Sequence, residues 1–195
     1  MGPASTTDTA RPPITRERII GSALVLIDRD GLDRLSMRRL ATELGIEAMS
    51  LYHHVQDKSD VLDGVVALVL SEMAPVQPSP WDERVRHVAR ELRRVVHAHP
   101  QVHLLILERA LGSPAVIEPA HQLFEALLEA PMAHDAAVRS FWITMSFVSG
   151  SLSCELTQVP EAEAADVFPD GLFAIDLDEQ FESGLQTLTT AFARA

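Results

Sequence analysis

The sequence predicts an all-α protein, and three observations lead to this prediction. Apolar residues recur at the spacing of a helix through most of the chain, whereas no stretch alternates long enough with the period of two that a strand requires. Prolines and glycines divide the chain into segments of helical length. Hydrophobic residues make up 47% of the 195 residues and charged residues 23%, a balance that excludes a wholly disordered or collagen-like chain.

Four helices are predicted before the first cluster of prolines. A side chain that can cap a helix N-terminus precedes each of the first two, and a glycine follows each. The fourth is too apolar for a helix with one exposed face, which indicates that it connects two packed bodies. The first predicted helix covers residues 16–29, between Thr15 and Gly31. The second follows Ser36 and ends at Leu44, before Gly45. The third covers residues 48–55, and the fourth covers residues 59–73.

The second part of the chain begins after three prolines within residues 74–80, which cannot continue a helix and therefore predict a linker. Beyond it, apolar residues at helical spacing predict five more helices, and prolines predict a long acidic loop between the last two. The predicted helices cover residues 81–99, 102–111, 114–130, 134–159 and 178–193, and the loop covers residues 159–171.

The charge of the chain is unevenly distributed. Its formal net charge is −12, which at first argues against a polyanionic partner such as DNA. Residues 1–70, however, hold 8 Lys or Arg against 10 Asp or Glu, whereas residues 71–195 hold 8 against 18. Nine carboxylates and no Lys or Arg lie from Glu155 to Glu182, which indicates a solvated, mobile stretch; an acidic ligand-gating or metal-binding role is the alternative.

The sequence predicts a cytoplasmic protein without membrane contact. No apolar run approaches the ~18 residues that a membrane-spanning helix needs, and residues 1–13 are polar and lack the apolar centre of a secretory signal. The single cysteine, Cys154, cannot form an internal disulfide, which agrees with a reducing compartment.

The segment from Leu35 to Lys58 carries the functional prediction. A capped helix, a glycine turn and a second short helix match the helix-turn-helix, in which the second helix enters the major groove of DNA. Leu51 and Val55 lie four residues apart and can pack inward on the preceding helix. The outward positions are then Ala48, Met49, Tyr52 and His53. Met and Tyr suit thymine methyl groups and phosphate oxygens better than they suit a plain solvated surface.

This segment resembles the DNA-binding region of the tetracycline-repressor (TetR) family of bacterial regulators. The similar run is LATELGIEAMSLYHHVQDKSDVLD, and HAHP at 97–100, FVSG at 147–150 and FESGLQTL at 181–188 look like the regulatory domain of the tetracycline-repressor subgroup. The resemblance implies a disordered arm over residues 1–13, a three-helix helix-turn-helix DNA-binding domain with its connecting helix over 14–73, and a helical ligand-binding and dimerisation domain over 81–195.

The resemblance also implies roles for individual residues. Base contacts are expected from Arg38, Ala48, Met49 and Tyr52, and phosphate contacts from Arg16, Ser36, Met37, Ser50, His54 and Lys58. His53 is expected on the same surface, although the paired histidines 53 and 54 can alternatively cap or pack the short helix. Glu47 departs from the family, because many relatives have Ser or Thr at this cap.

For the second domain, the resemblance implies a homodimer and a small-molecule effector. The dimer seam is expected to be a four-helix bundle of residues 134–158 and 178–194 from both subunits, with close contact at Ser149, Gly150 and Ser153. The expected ligand-binding residues are His103, Leu105, Phe124, Trp142 and Met145. Tetracycline is not expected to bind, because Ala74 replaces the drug-gripping histidine. No cofactor and no metal are expected, since His97, His99 and His103 do not share a helix face.

Together these features predict a ligand-responsive transcriptional regulator. Its expected form is a homodimeric repressor that binds a palindromic operator in double-stranded DNA and is released by a small-molecule inducer. An all-α small-molecule-binding protein without DNA binding is the alternative, and Glu47 and the low local positive charge favour it. An enzyme is the weaker competitor, because the sequence has no nucleophile elbow, no phosphate-binding glycine loop and no metal-ligand spacing.

Overall fold

The computed structural model describes residues 13–109, 114–157 and 176–194. Within these ranges the chain forms nine α-helices and two short 3-10 turns and has no strand, which confirms the predicted all-α class. The backbone contacts divide the chain into two units, Met1–Val61 and Leu62–Ala195. The division falls inside the fourth helix, whereas the sequence prediction assigned that whole helix to the first domain.

Three helices lie entirely in the first unit. They are α1 (Arg16–Asp30), α2 (Met37–Leu44) and α3 (Ala48–Leu51), with a 3-10 turn (Leu32–Arg34) between the first two; α4 (Lys58–Ser71) begins in this unit. The predicted caps of α1 are confirmed: Thr15 Oγ1 accepts a hydrogen bond from the backbone N–H of Arg18 at 3.3 Å, and Gly31 has a φ of 87°. The prediction for α3 was wrong, because this helix ends at Leu51 and a turn replaces its expected second half.

The remaining helices lie in the second unit. They are α5 (Trp81–Ala98), α6 (His103–Arg109), α7 (Pro114–Leu128), α8 (His134–Leu156) and α9 (Leu177–Phe192), with a 3-10 turn (Pro100–Val102) before α6. Each predicted helix is present, and α7 and α8 end a turn or less before their predicted last residues. The predicted arm over 1–13, apart from Pro13, and the predicted loop over 159–171 lie outside the described residues.

The core of the first unit is formed by apolar residues that α1, α2 and α3 turn toward one another. Ile19, Ile27, Leu40 and Leu51 are each fully buried at 0% exposure. Burial of one such side chain contributes about 1.5–3 kcal/mol to folding. A helix of only four residues such as α3 has little stability alone, so this packing holds it in place.

The second unit is built around α5, α7 and α8, with α9 packed on α8. A cluster of buried residues from four helices includes Val85, Leu127, Ala137 and Phe192. Polar contacts join the same helices, since the Arg93 guanidinium donates to Glu155 at 2.9 Å and to Asp178 at 2.6 Å. No helix of the described chain is long and apolar enough to cross a membrane.

Candidate nucleic-acid interface and ligand cavity

The link between α2 and α3 has the geometry of a helix-turn-helix. Ser36 Oγ accepts a hydrogen bond from the backbone N–H of Arg39 at 3.2 Å, so Ser36 caps α2 as predicted. Gly45 ends α2 in the left-handed conformation, with φ 67° and ψ 39°, which confirms its predicted turn. The backbone N–H of Ile46 then donates to the carbonyl of Ala41 at 3.0 Å, and this bond directs the chain into α3.

The α3 segment presents a surface with two large apolar side chains. Leu51 and Val55 point inward, with exposures of 0% and 3%, as the sequence predicted. On the opposite side Met49 is 72% exposed and Tyr52 is 46% exposed. Ala48 and Ser50 are half-buried beside them. Such exposure has a cost in water, and it suits contact with the thymine methyls and sugar-phosphate edges of a major groove.

Two adjacent arginines on α2 differ in their partners. The Arg39 guanidinium donates to Asp30 at 2.6 Å, and Arg29 donates to both Asp30 and Glu43, so these charges join α1 to α2. Arg38 is exposed, and within the described part of the chain its guanidinium has no hydrogen bond or ion pair. Arg38 is therefore the member of this pair that can turn to an external partner.

Arg16, a predicted phosphate contact, is held within the first unit. Its guanidinium donates two hydrogen bonds to Asp60, at 2.5 and 2.8 Å, and the Asp60 carboxylate also accepts the backbone N–H of Gln56. The Arg16 guanidinium, followed by the Gln56 hydrogen bond, lowers the pKa of Asp60 from 3.8 to about 2. A phosphate would have to share Arg16 with this carboxylate.

The other predicted contact residues lie around the same surface. Ser36, His53, His54 and Lys58 are exposed and Met37 is half-buried. Glu47 is exposed at the N-cap of α3, and its side chain makes no capping hydrogen bond. A carboxylate therefore lies at the N-terminus of α3 without capping it, at the position where the sequence analysis expected Ser or Thr in related proteins.

The second unit contains an apolar cavity of about 40 Å³ between five of its helices. One lining residue comes from α4 and three come from each of α5, α6, α7 and α8. His103 lies in this wall with only 4% exposure, and Ser153 Oγ is 3.1 Å from its Nε2. Burial lowers the pKa of His103 below its usual 6.5, because the charged ring would lose its hydration.

The structure brings two of the five predicted ligand-binding residues to this cavity. His103 and Met145 line it, but the other three do not. Leu105 is buried elsewhere in the core at 1% exposure, and Phe124 packs edge-on against Phe141 with 5.8 Å between the ring centroids. Trp142 is 55% exposed on α8. Helical spacing alone could not separate the cavity wall from the neighbouring core.

Two small residues of α8 have contacts inside their own unit that the sequence did not predict. Ser149, expected at the dimer seam, lines the cavity, and Ser153 contacts His103 inside its own unit. Gly150 remains exposed, with open space where a Cβ would lie. The sequence analysis also missed Leu70, Leu92 and the rest of the wall, because its residues come from five helices separated along the chain.

Polar contacts tie the part of α4 in the second unit to its neighbours. Near the start of that part, Arg109 at the end of α6 donates to Asp63 at 2.5 Å. Just beyond the end of α4, the backbone N–H of Ala74 donates to Glu91 at 2.6 Å. One end is thus held by α6, which lines the cavity, and the other by α5. Across the described ranges, no group of three or more His, Cys, Asp or Glu is arranged to hold a metal ion.

Comparison with family models gives two matches. Residues 19–65 match the model described as bacterial regulatory proteins of the tetR family, and residues 74–169 match the model described as the tetracyclin repressor-like C-terminal domain. The first match contains α2, the glycine turn and α3, and the second contains most of the helices that line the cavity.

Individual proteins are similar over much of the chain. An HTH-type transcriptional regulator of Saccharopolyspora erythraea is 35% identical over 147 residues, which are 74% of this chain and 62% of that protein. The chain thus spans about three fifths of the length of this curated relative. Apo ActR from Streptomyces coelicolor has a TM-score of 0.81 and 29% identity over 95% of this chain and 97% of its own. ActR in complex with actinorhodin has a TM-score of 0.77 and 28% identity over 92% and 97%.

Proposed function

The chain belongs to the TetR family of bacterial regulatory proteins, and on this basis we propose that it is a ligand-responsive transcriptional repressor. In this proposal a homodimer binds a palindromic operator in double-stranded DNA, and a small-molecule inducer releases it. The two α3 segments address half-sites one duplex turn apart, about 34–36 Å. Such a protein works where the chromosome lies, in the bacterial cytoplasm.

The observation that carries the proposal is the surface formed by α2 and α3. It combines an exposed arginine without a partner among the described residues, Arg38, with the exposed side chains of Met49 and Tyr52. A guanidinium can donate two hydrogen bonds to O6 and N7 of guanine, and the apolar side chains can contact thymine methyls. Ser36, Ser50, His54 and Lys58 border this surface and are proposed to contact phosphates, which fix the register.

The proposed dimer uses the exposed faces of α8 and α9. Trp142 and Ile143 on α8 are 55% and 47% exposed, which is unusual for two adjacent large apolar side chains. Gly150, two turns further along α8, has nothing within 4 Å of the position of a Cβ, so a second helix has room to approach there. These features support a bundle of two helices from each subunit.

The proposed response to an inducer runs through α6 and α4. Ile106 and Leu107 of α6 line the cavity, and Arg109 at the end of the same helix binds Asp63 of α4. An inducer that binds more tightly when the cavity is wider would displace α6, and the ion pair between Arg109 and Asp63 would transmit that displacement to α4. Only a difference in affinity between the two conformations produces a response, and couplings of about 1–3 kcal/mol are typical.

The test of this proposal is a gel shift with DNA from upstream of the chain's own gene. We expect saturable binding, and a loss of affinity of about 10³ to 10⁵ between 50 and 200 mM salt if six to ten phosphates are contacted. Met49→Ala and Tyr52→Ala, which remove exposed side chains, should weaken binding, whereas Val25→Ala, at an exposed apolar residue of α1, should not. A DNA affinity that changes neither with salt concentration nor with these two substitutions would contradict the proposal.

A second candidate is a small-molecule-binding protein that does not bind DNA. The exposed carboxylate of Glu47 at the start of α3 favours this candidate, because the phosphates of DNA would repel it. Glu47→Ser, which places a hydroxyl at the N-cap of α3, tests which of the two candidate functions is correct. If the natural protein does not shift any upstream DNA and Glu47→Ser does, the second candidate is correct.

A further inference from the structure

The wall of the cavity in the second unit is almost free of polar groups. Eleven of its thirteen lining residues are apolar, and the other two are His103 and Ser149. No Asp, Glu, Lys or Arg is among the described residues that line it. An ion that entered this space would lose its hydration without gaining a partner charge, which is among the most costly transfers in protein chemistry.

The two polar residues do not supply a charge. Burial lowers the pKa of His103, which favours the uncharged ring, and its Nε2 is already paired with Ser153 Oγ at 3.1 Å. Ser149 lies one turn before Ser153 on α8, and within the described chain its hydroxyl has no hydrogen-bond partner. Beside the buried ring of His103, the wall therefore offers one uncommitted neutral hydroxyl, that of Ser149, and its other residues are apolar.

The size of the cavity indicates that an occupant has to push its wall apart. A volume of about 40 Å³ is far below the roughly 300–1,000 Å³ of a typical small-molecule site. Six lining residues are only half-buried, so the wall reaches the surface at several points; they are Leu92, Leu107, Pro119, Ala120, Met145 and Ser149. Met145, which is long and unbranched, can repack most easily.

From these observations we infer that the effector is an uncharged, largely apolar molecule with one hydrogen-bonding group, which the Ser149 hydroxyl receives. This inference rests on the proposed function, because that proposal assigns the cavity to an effector. It goes beyond that proposal by excluding carboxylate, phosphate and ammonium compounds from the cavity and by assigning Ser149 as the residue that orients the ligand.

The experiment uses three probes that share one ring system. Naphthalene has no polar group, 1-naphthol has one neutral hydroxyl, and 1-naphthoate is charged at neutral pH. Their dissociation constants for the intact dimer are measured by displacement of the fluorescent neutral dye N-phenyl-1-naphthylamine. We expect 1-naphthol to bind about threefold to tenfold more tightly than naphthalene, which corresponds to one hydrogen bond, and 1-naphthoate to bind more than about a hundredfold more weakly than 1-naphthol.

Two substitutions of one residue locate the site. Ser149→Ala should keep naphthalene binding and remove the advantage of 1-naphthol, whereas Ser149→Phe should fill the cavity and abolish dye and probe binding. Leu92→Trp fills the same cavity from α5 and replaces Ser149→Phe if circular dichroism shows that the latter does not fold. Equal or tighter binding of 1-naphthoate, binding of neither neutral probe, or unchanged binding to the filled variants would overturn the inference.

Release of operator DNA is measured separately with each probe at saturation. If 1-naphthol binds in the expected order but the DNA stays bound, the proposed inducer response fails and the assignment of ligand class stands. If 1-naphthoate releases the DNA and the cavity-filling variants no longer respond to it, the response stands and the assignment of ligand class fails.

Discussion

Arginines of α1 and α2 differ in whether they are committed to the fold or available to a partner. Arg39 and Arg16 are committed, because both donate to carboxylates of the first unit at 2.5 to 2.6 Å. Arg38 is exposed and has no such contact within the described chain. Neighbouring residues of one type thus have different roles, and only the ion-pair partners distinguish them.

Substitution of Arg38 should affect DNA recognition and leave stability unchanged. Arg38→Ala is expected to reduce operator affinity by about fivefold to a hundredfold, because one bidentate contact to guanine contributes about 1–3 kcal/mol. Fluorescence anisotropy with the operator and with a variant that lacks the contacted guanine measures this effect. Arg34→Ala, at an exposed arginine of the 3-10 turn, is the matched control. An unchanged base preference in folded Arg38→Ala would show that Arg38 does not read a base.

The Asp60 carboxylate should make the stability of the first unit depend on pH. Since the pKa of Asp60 is lowered to about 2 in the folded protein, its contribution is present above pH 4 and is lost as the pH falls toward 2. Arg16 is partly exposed, so solvent screening limits the contribution to about 1 kcal/mol or less. Asp60→Asn should therefore be less stable at pH 7 and equal to the natural protein near pH 2.

Urea unfolding at several pH values measures this difference. Asp33→Asn is the control, because Asp33 is exposed and makes no ion pair among the described residues. A stability difference between Asp60→Asn and the natural protein that stays constant down to pH 2 would exclude the ion pair as its cause.

Helix contacts in the second unit include one position where any side chain is obstructed. A Cβ on Gly184 of α9 would collide with the ring of Phe147 on α8, closer than atoms can approach. Gly184→Ala should lower the free energy of unfolding by about 1–3 kcal/mol through overpacking. Phe147→Leu in the same chain should recover part of this loss, because it removes the obstructing ring atoms.

Urea unfolding of the single and double variants tests this contact. Gly21→Ala on α1 is the matched control, since nothing lies within 4 Å of its Cβ position, and it should be neutral or stabilising by up to about 1 kcal/mol. If Gly184→Ala behaves like Gly21→Ala, α8 and α9 do not pack this closely.

Sequence reasoning succeeded for helix elements whose signals are local. Thr15, Ser36 and Gly45 were identified because a cap or a turn depends on residues within one helical turn. The end of α3 at Leu51 was missed, because the apolar spacing continues to the buried Val55 although the helix has already ended. The place of Ser149 in the cavity wall was not predicted, since a stripe of small residues does not reveal which side of α8 faces inward.

At the scale of the whole molecule, the proposed function requires two chains. Ile143→Glu, which puts a charge on the exposed apolar face of α8, should convert the dimer into monomers, because a charge buried without a partner costs several kcal/mol. Sedimentation velocity measures this change, and Ile117→Glu on α7, at a similarly exposed isoleucine, is the control. A dimer that survives Ile143→Glu would exclude this face as the seam.

The cavity and the ion pairs could not be predicted from the sequence, because both are assembled from distant parts of the chain. Arg109 and Asp63 are 46 residues apart in the sequence, and residues of five helices form the cavity wall. By contrast, the helix-turn-helix lies within one continuous segment, where the Ser36 cap, the Gly45 turn and the exposed side chains of α3 were visible. The surface proposed to read DNA was therefore predicted in more detail than the site proposed for the effector.

Selection of duplexes from a random-sequence pool by the intact chain tests the proposed DNA recognition most directly. We predict enrichment of an inverted repeat whose half-sites are centred about 10 to 10.5 base pairs apart, the spacing that two α3 segments of one dimer would address. Enrichment of a single half-site, or of no sequence at all, would contradict the proposal that paired α3 segments read one palindromic operator.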